Sequence, residues 1–372
     1  MTIFSSDPTA RAMRCIAFHL PQFHPTPEND AWWGKGFTEW TKVAAARPVV
    51  PGHHQPHLPA DLGFYDLRLP ESRAAQAELA RGYGIDAFCY YHYWFAGRRV
   101  LQRPVDEIVA SGEPDFPFCL CWANESWTRA WDGRSGETLL EQCYSDADDL
   151  AHIRHLLPIL ADARYVRVGG RPMLLVYRTE LLPQPRRTAE LWRQEALRAG
   201  LGDLYLVRVE SFEGEIDPVT IGFDAALEFA PDWRRVRVMP PGRLRRLATA
   251  LGLSPRGYLE HQFVDYDELV AGMLARSEAA YRHIRCVTPG FDNSPRRQKD
   301  AMIFLGSTPQ AYGRWLEQVL QREAASGRAA DQKLVFVNAW NEWGEGNHLE
   351  PCMRWGRAYL EAHAQARHRA GV

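Results

Sequence analysis

Short apolar runs rich in β-branched and aromatic residues alternate with helix-period segments along nearly the whole chain. The runs are "CIAFHL" from 15, "IDAFCYYHYWF" from 85, "FPFCLCWAN" from 116, "RPMLLVYR" from 171, "DLYLVRVES" from 203, "AALEFAP" from 225, "IRCVTPGF" from 284 and "KLVFVNAW" from 333. Near-continuous apolar runs of this kind suit strands covered on both faces, as in a parallel sheet. Between them the pattern predicts helices over 71–84, 146–162, 188–200, 266–283 and 308–325, and a closing helix from Trp355 to His368. Several open on Ser, Thr or Asp and several end in Gly, as caps should. Eight strands with interleaved helices predict an α/β fold, a (β/α)8 TIM barrel forming one catalytic domain over residues 1–372. An open doubly wound sheet would want a Gly-rich phosphate loop after the first strand, where "HLPQFHPTPEND" runs instead. Two connections are long, residues 25–70 after strand 1 and roughly 232–262 after strand 6, and such loops usually bind or cover a ligand.

Composition narrows the function classes. A net charge of −2 with 24% charged residues gives no electrostatic footprint for nucleic acid or a membrane surface. The seven cysteines are odd in number and four fall in strand-like runs, which suggests a reducing compartment. "MTIFSSDPTARAMR" lacks an apolar signal-peptide core and no stretch reaches transmembrane length, so the expected location is cytoplasmic. Aromatic content is high at 12%, with 13 Trp, and aromatic faces either fill a core or stack on flat ligands such as sugars. No cofactor is called for, and the sequence carries no signal for an oligomeric state.

In a barrel, function gathers at the C-terminal strand ends. Polar and aromatic residues collect there: His19, Gln22 and His24; Tyr91, His92, Tyr93 and Trp94; Trp122, Asn124 and Glu125; Tyr177; Glu210; Glu228; Asp292 and Asn293; and Asn341, Trp343 and His348. Any one of them could be a satisfied structural group, whereas the whole set argues for a site. The last run ends in "NAWNEWGEGNHLEP", which places Glu342 and Glu345 three apart. Alternation sends Phe336, Asn338, Trp340 and Glu342 to the lumen and mouth, and Val335, Val337 and Ala339 to the helices. A helix-like turn at Gly344 and Gly346 would bring both carboxylates to one side, at the close spacing retaining glycosidases use. A like-charged neighbour raises one carboxyl's pKa and lets it act as general acid. Glu345, His348 and the nearby histidines, His19, His24, His53, His54 and His57, form a weaker metal pattern, without a recognised zinc spacing. The Arg-rich stretch 234–247 reads either as a clamp for an anionic sugar or phosphate or as a solvated insertion.

"LPQFHPTPENDAWWGKGFTEW", "PGHHQPHLPADLGFYDLRLPE", the run from Tyr83 to Arg129 and "NAWNEWGEGNHLEP" together resemble the WbsX-like family, across about residues 15–365. That family is associated with O-antigen and related surface-polysaccharide gene clusters and is labelled glycosyltransferase. It is in turn distantly similar to family-99 glycoside hydrolases, (β/α)8 enzymes that cleave α-mannosidic linkages with retention, whose motif "NEW-x-EG" recurs here as "NEWGEG". The resemblance implies that Glu345 is the general acid/base. It also implies that Glu342 deprotonates the sugar 2-OH, which attacks C1 to give a 1,2-anhydro sugar. Such a route needs a 1,2-trans glycoside, an α-mannoside or α-rhamnoside, in an oligo- or polysaccharide substrate. Ser126 and Gly344 stand where Asn and Ala are usual, which implies an altered subsite contact and a looser turn. The rival readings are a sugar-nucleotide-dependent glycosyltransferase of O-antigen or lipopolysaccharide synthesis, and a barrel that binds glycan without turning it over.

Overall fold

The structure, a computed structural model, describes residues 13–129, 134–210, 212 and 214–372. Among them, eight parallel strands close a barrel: β1 (Arg14–His19), β2 (Ala87–His92), β3 (Phe118–Trp122), β4 (Arg171–Val176), β5 (Tyr205–Glu210), β6 (Ala225–Glu228), β7 (His283–Val287) and β8 (Leu334–Val337). Each pairs with the next, and β1 closes the ring on β8 with Ile16 opposite Phe336. The expected (β/α)8 architecture is the one observed.

The lumen is packed with side chains, as a small barrel requires. Phe18 stacks on Tyr91 at 5.3 Å between ring centres and meets Phe336 at 5.5 Å and Phe229 at 6.1 Å. Residues of the opposite parity face a ring of helices. In chain order these are α1 (Pro27–Trp33), α2 (Glu39–Ala45), α3 (Pro70–Gly82), α4 (Arg103–Ser111), α5 (Asp146–Leu160), α6 (Pro185–Arg198), α7 (Arg243–Ala250), α8 (Gly257–Glu260), α9 (Tyr266–Leu274), α10 (Pro309–Ala324) and α11 (Ala358–Ala370). Side-chain caps start several of them: Thr26 on α1, Ser145 on α5, Asp265 on α9 and Thr308 on α10 each accept from a backbone N–H three residues on.

The departures from the expected elements have local causes. The helix expected over 266–283 ends at Leu274, because Arg276 turns beneath the helix layer to reach Glu210 at 2.6 Å and Glu228 at 3.3 Å. The last helix starts at Ala358 rather than Trp355 and stops at Gly371, whose φ of 72° suits a left-handed cap. Between β5 and β6 a short 3-10 turn, Pro218–Ile221, replaces a helix. The connection over 25–70 carries α1 and α2. That over 232–262 carries a strand, α7 and α8 before Gln262–Asp265, which joins Val238–Met239 and Met302–Leu305 in a three-stranded sheet. Trp340 leaves the lumen, contrary to the alternation, and packs on Phe88 at 5.2 Å on the helix side once β8 has ended at Val337.

One buried pair ties the chain's far ends together. Arg367 of α11 donates to Asp86 at 2.5 Å, and Asp86 also accepts the backbone N–H of Cys15 in β1 at 2.7 Å. Both side chains are 1% exposed, so removing one partner strands a charge. Asp86→Ala is expected to cost about 3–5 kcal/mol in denaturant unfolding, and a loss below about 1 kcal/mol would contradict that role.

Candidate active site

The C-terminal ends of the strands open on a cavity of about 650 Å³, a size ordinary for a small-ligand site. Strand parity decides what lines it. Leu20 and Gln22 continue the inward row of β1, Tyr91 and Tyr93 that of β2, Ala123 and Glu125 that of β3, Tyr177 that of β4, Phe229 that of β6 and Asn338 that of β8. Trp32 and Trp33 of α1, Trp127, Phe212, Trp233 and Phe291 extend an aromatic wall. Flat π faces of this kind pack against apolar ligand faces while their polar tips hydrogen-bond.

The two glutamates sit on a tight turn. Asn341–Glu342 pairs antiparallel with Asn347–His348 around the 3-10 turn Trp343–Glu345, closed by Gly346 at φ 54°. Both carboxylates then meet one guanidinium: Arg296 donates from Nη2 to Glu342, from Nη1 to Glu345 at 2.7 Å, and from Nε to Glu39 of α2. The Glu39 and Glu342 side chains are 2% and 9% exposed, whereas Glu345 is 27% exposed and presents the open carboxyl.

Burial pushes the Glu342 carboxyl well above the usual carboxylate range; Arg296 pulls it back, and Glu345 and Glu39 push it up again. Burial likewise raises Glu345 against the pull of Arg296. With Glu39 also drawing on Arg296, the turn pair keeps negative charge in a low-dielectric place, and a proton shared between Glu342 and Glu345 relieves it. One member can then give a proton while another takes one.

The turn is braced from behind. Trp343 Nε1 donates to Glu350 at 2.6 Å and its ring stacks on His348 at 3.7 Å. Tyr65 and Gln76 also donate to Glu350, at 2.8 and 2.6 Å, yet burial still pushes this carboxyl up to about 7. On the other flank, the backbone N–H of Asp292 donates to the Glu345 carbonyl at 2.5 Å, and the Asp292 carboxylate holds His53 at 2.6 Å and Gln55 at 2.7 Å.

The family described as Glycosyltransferase WbsX matches residues 15–363. The chain belongs to the WbsX family. It is 47% identical over 355 residues to proteins described as uncharacterized protein WxcX from two strains of Xanthomonas campestris pv. campestris. That match takes in 95% of this chain and 50% of the relatives, so the chain spans about half their length. In fold it is similar to the GH99 endo-alpha-mannosidase of Bacteroides thetaiotaomicron, with a TM-score of 0.55 at 14% identity over 99% of this chain and 98% of that one. A second solved structure, described as a glycoside hydrolase-like protein, gives a TM-score of 0.57 at 15% identity, covering 98% and 96% of the two chains.

In this WbsX barrel the residues singled out from the sequence divide by parity. Gln22, Tyr91, Glu125, Tyr177, Glu342 and Glu345 line the cavity, as do Tyr93 and Asn293. The others do not reach it. His19 faces α3 and meets Gln76 at 3.1 Å; His24 is buried at 2% exposure, where desolvation lowers its pKa to about 4. His92 meets His152 of α5 at 3.0 Å, Trp94 donates to Asp148 at 2.9 Å, and Trp122 packs edge-on to His152 and against Trp192. Glu210 lies under the helices; burial alone would raise it, but His283, Tyr281 and Arg276 hold its pKa down to about 2. Trp343 and His348 brace the turn, the latter 3.0 Å from His57.

Asn124 and Asn341 serve the frame. The Asn124 amide accepts from the Arg178 N–H and donates to the Arg178 carbonyl, both at 2.8 Å. The Asn341 amide does the same with Leu20, at 2.7 and 3.0 Å. Arg296 and Glu39, which sequence reasoning passed over, complete the charged group. Glu39 lies inside the "GFTEW" string of the family resemblance, and Arg296 follows Asp292 and Asn293 in "DNSPRRQ".

The two departures from the family pattern also resolve. Ser126 lines the cavity, and its hydroxyl accepts the Gln142 N–H at 2.9 Å. Gly344 supplies space rather than the expected looseness: a Cβ there would lie 1.9 Å from Glu39 Oε1 and 2.6 Å from Arg296 Nε. Gly344→Ala is expected to cost about 1–3 kcal/mol in denaturant melts by forcing Glu39 off Arg296. Most of that cost should vanish in a Glu39→Ala background, and strict additivity of the two changes would contradict this account.

Glu350 gives a pH signature. Its folded pKa, about 7, lies above the unfolded value near 4.5, so the folded state binds the extra proton between those values. Its contribution is full below about pH 4.5 and is lost as pH rises through about 7. Wild type should lose up to about 3 kcal/mol more stability than Glu350→Gln between pH 5 and 8. Parallel stability curves for the two proteins would show that Glu350 does not titrate there.

Proposed function

We propose that the chain is a carbohydrate-active enzyme that acts on 1,2-trans glycosides, of the α-mannoside or α-rhamnoside type, in bacterial surface polysaccharide and with net retention. The observation that carries this reading is the pair Glu342 and Glu345 held on Arg296 at the edge of an aromatic-walled cavity. Carboxylates sharing one guanidinium are close together, and retaining chemistry works with carboxyls about 5–5.5 Å apart.

In the proposed reaction Glu342 takes the proton of the sugar 2-OH. O2 attacks C1 as the glycosidic C1–O bond breaks, and Glu345 passes its proton to the departing oxygen. Water then adds at C1 with its proton going to Glu345; the C1–O2 bond of the anhydro sugar opens, and O2 recovers its proton from Glu342. Two inversions give retention. The greater exposure of Glu345 suits the residue that must meet leaving group and water, and the buried Glu342 suits a base facing only the ring. Gln22, Tyr91, Tyr177 and Glu125 are proposed as sugar contacts.

The WbsX description favours a second reading, glycosyl transfer, in which an acceptor hydroxyl replaces the water in the same cavity. A reducing, cytoplasmic setting is proposed with either, supported by seven free cysteines, six of them buried. Among the described residues no helix is long and apolar enough to cross a membrane.

The test is turnover of α-mannosyl and α-L-rhamnosyl fluorides by wild type, Glu342→Gln and Glu345→Gln, with product anomers followed by NMR. Retention by wild type and a fall of about 100-fold or more in either variant are expected. Inertness of wild type to both fluorides, with turnover of a nucleotide sugar, would assign transfer instead. Binding of mannosides with no turnover, unchanged in Glu345→Gln, would make the barrel a glycan binder.

A further inference from the structure

The insertion after β6 has an apolar face turned the wrong way for a helix that packs. In α7, Thr249 is buried at 6% exposure and marks the side toward the protein. Leu244 and Leu247 lie on the opposite side, 85% and 58% exposed, and Leu251 continues their row at 64%. These three are spaced i, i+3, i+7, which puts them on one helical stripe. Leu253 and Leu259, just beyond, are 80% and 48% exposed. Five leucines standing in water on one short insertion amount to more than scattered surface apolarity.

Charge on the same segment is one-sided. From Trp233 to Leu259 the chain carries seven arginines and no acidic residue. Arg234 and Arg235 are satisfied by Asp232. Arg237, Arg243, Arg246 and Arg256 make no ion pair among the described residues, and each is exposed. Arg243 borders the leucine stripe of α7, and Arg246 lies further round on the same side, exposed, with its Nε donating to the Pro241 carbonyl at 3.1 Å. The insertion is anchored at the cavity: Trp233 at its start and Gln262 at its end both line it, and Gly257 packs so tightly on Val49 that a Cβ would come within 2.2 Å of the Val49 carbonyl oxygen.

We propose that this face docks on an anionic membrane surface, the leucines entering the acyl boundary and the arginines meeting lipid headgroup phosphates. An exposed apolar stripe edged by cations is how a helix lies in a bilayer interface, and attraction to anionic lipid adds to burial of the stripe. A second copy of the chain fits poorly, because a two-fold contact would set these arginines against their own counterparts. Docked in this way, the cavity would open beside the membrane, where lipid-anchored glycans present their sugars. The surface stands on its own residues, so it can fail while the proposed reaction holds, and the reverse.

The test is flotation of the chain with vesicles of phosphatidylcholine alone and of phosphatidylcholine mixed with phosphatidylglycerol. Binding at low salt at least about 10-fold tighter to the mixed vesicles is expected, weakening as salt screens the headgroups. The triple change Leu244→Asn, Leu247→Asn and Leu251→Asn should weaken it by about 10-fold or more, as should Arg243→Glu with Arg246→Glu. All five side chains are exposed, and unchanged melting curves will confirm intact folds. Equal affinity for the two vesicle types, or full binding by the leucine variant, would overturn the proposal. So would capture of the chain by polyglutamate, or self-association through this face, without vesicle binding.

Discussion

The site depends on one guanidinium. Arg296, on the loop after β7, spends its three nitrogen positions on three different carboxylates, one from α2 and two from the turn after β8. Without it, burial would drive Glu342 and Glu345 further toward the protonated form, and Glu39 would lose its buried partner. With it, their geometry is fixed by the planar fork of one side chain. The absence of a Cβ at position 344 is part of the same arrangement, since Glu39 and Arg296 meet in the space an alanine would fill. A long loop after the first strand and a glycine near the end of the chain thus answer to one contact.

Around that group the barrel separates two kinds of polar chemistry. The inward rows of the strands reach a cavity walled by rings, whose charged lining is Arg296 with Glu342 and Glu345, then Arg297, Asp300, and Glu125, which pairs with Arg178. The outward rows carry a second polar layer beneath the helices, where Arg208, Arg276 and Arg285 pair with Glu210 and Glu228, and Glu215 adds a third carboxylate on Arg276. His92 and His152 form another such outward contact. Burial costs these groups water, and their partners within hydrogen-bond reach offset it.

This division explains what was legible in the sequence. The fold was legible, because fully buried strands write themselves as unbroken apolar runs and helices announce their caps. The "NEWGEG" turn was legible from its glycines. At the strand ends, residue type alone misled: His19, His92, Trp122 and Glu210 look functional and belong to the outward layer, while Gln22, Tyr91, Glu125 and Tyr177 share the inward parity. The alternation that sorts them is written into each apolar run. At β8 it breaks at Trp340, because the strand ends at Val337. Arg296 was hidden for a different reason: its partners come from 257 residues away at Glu39 and 46 and 49 away at the two turn glutamates, and no local pattern reports such a meeting.

The two asparagines at the strand ends carry a consequence for how such proteins diverge. Asn124 and Asn341 each engage both the N–H and the carbonyl of one residue on the neighbouring strand extension, as another peptide group would. They recognise main chain, which every amino acid but proline supplies in full. The side chains beside them, Ala123, Glu125 and Leu20, can therefore be exchanged over evolutionary time without unseating the frame that presents them. A lineage built on these staples is free to drift in what its cavity accepts while the positions from which it accepts it stay in register.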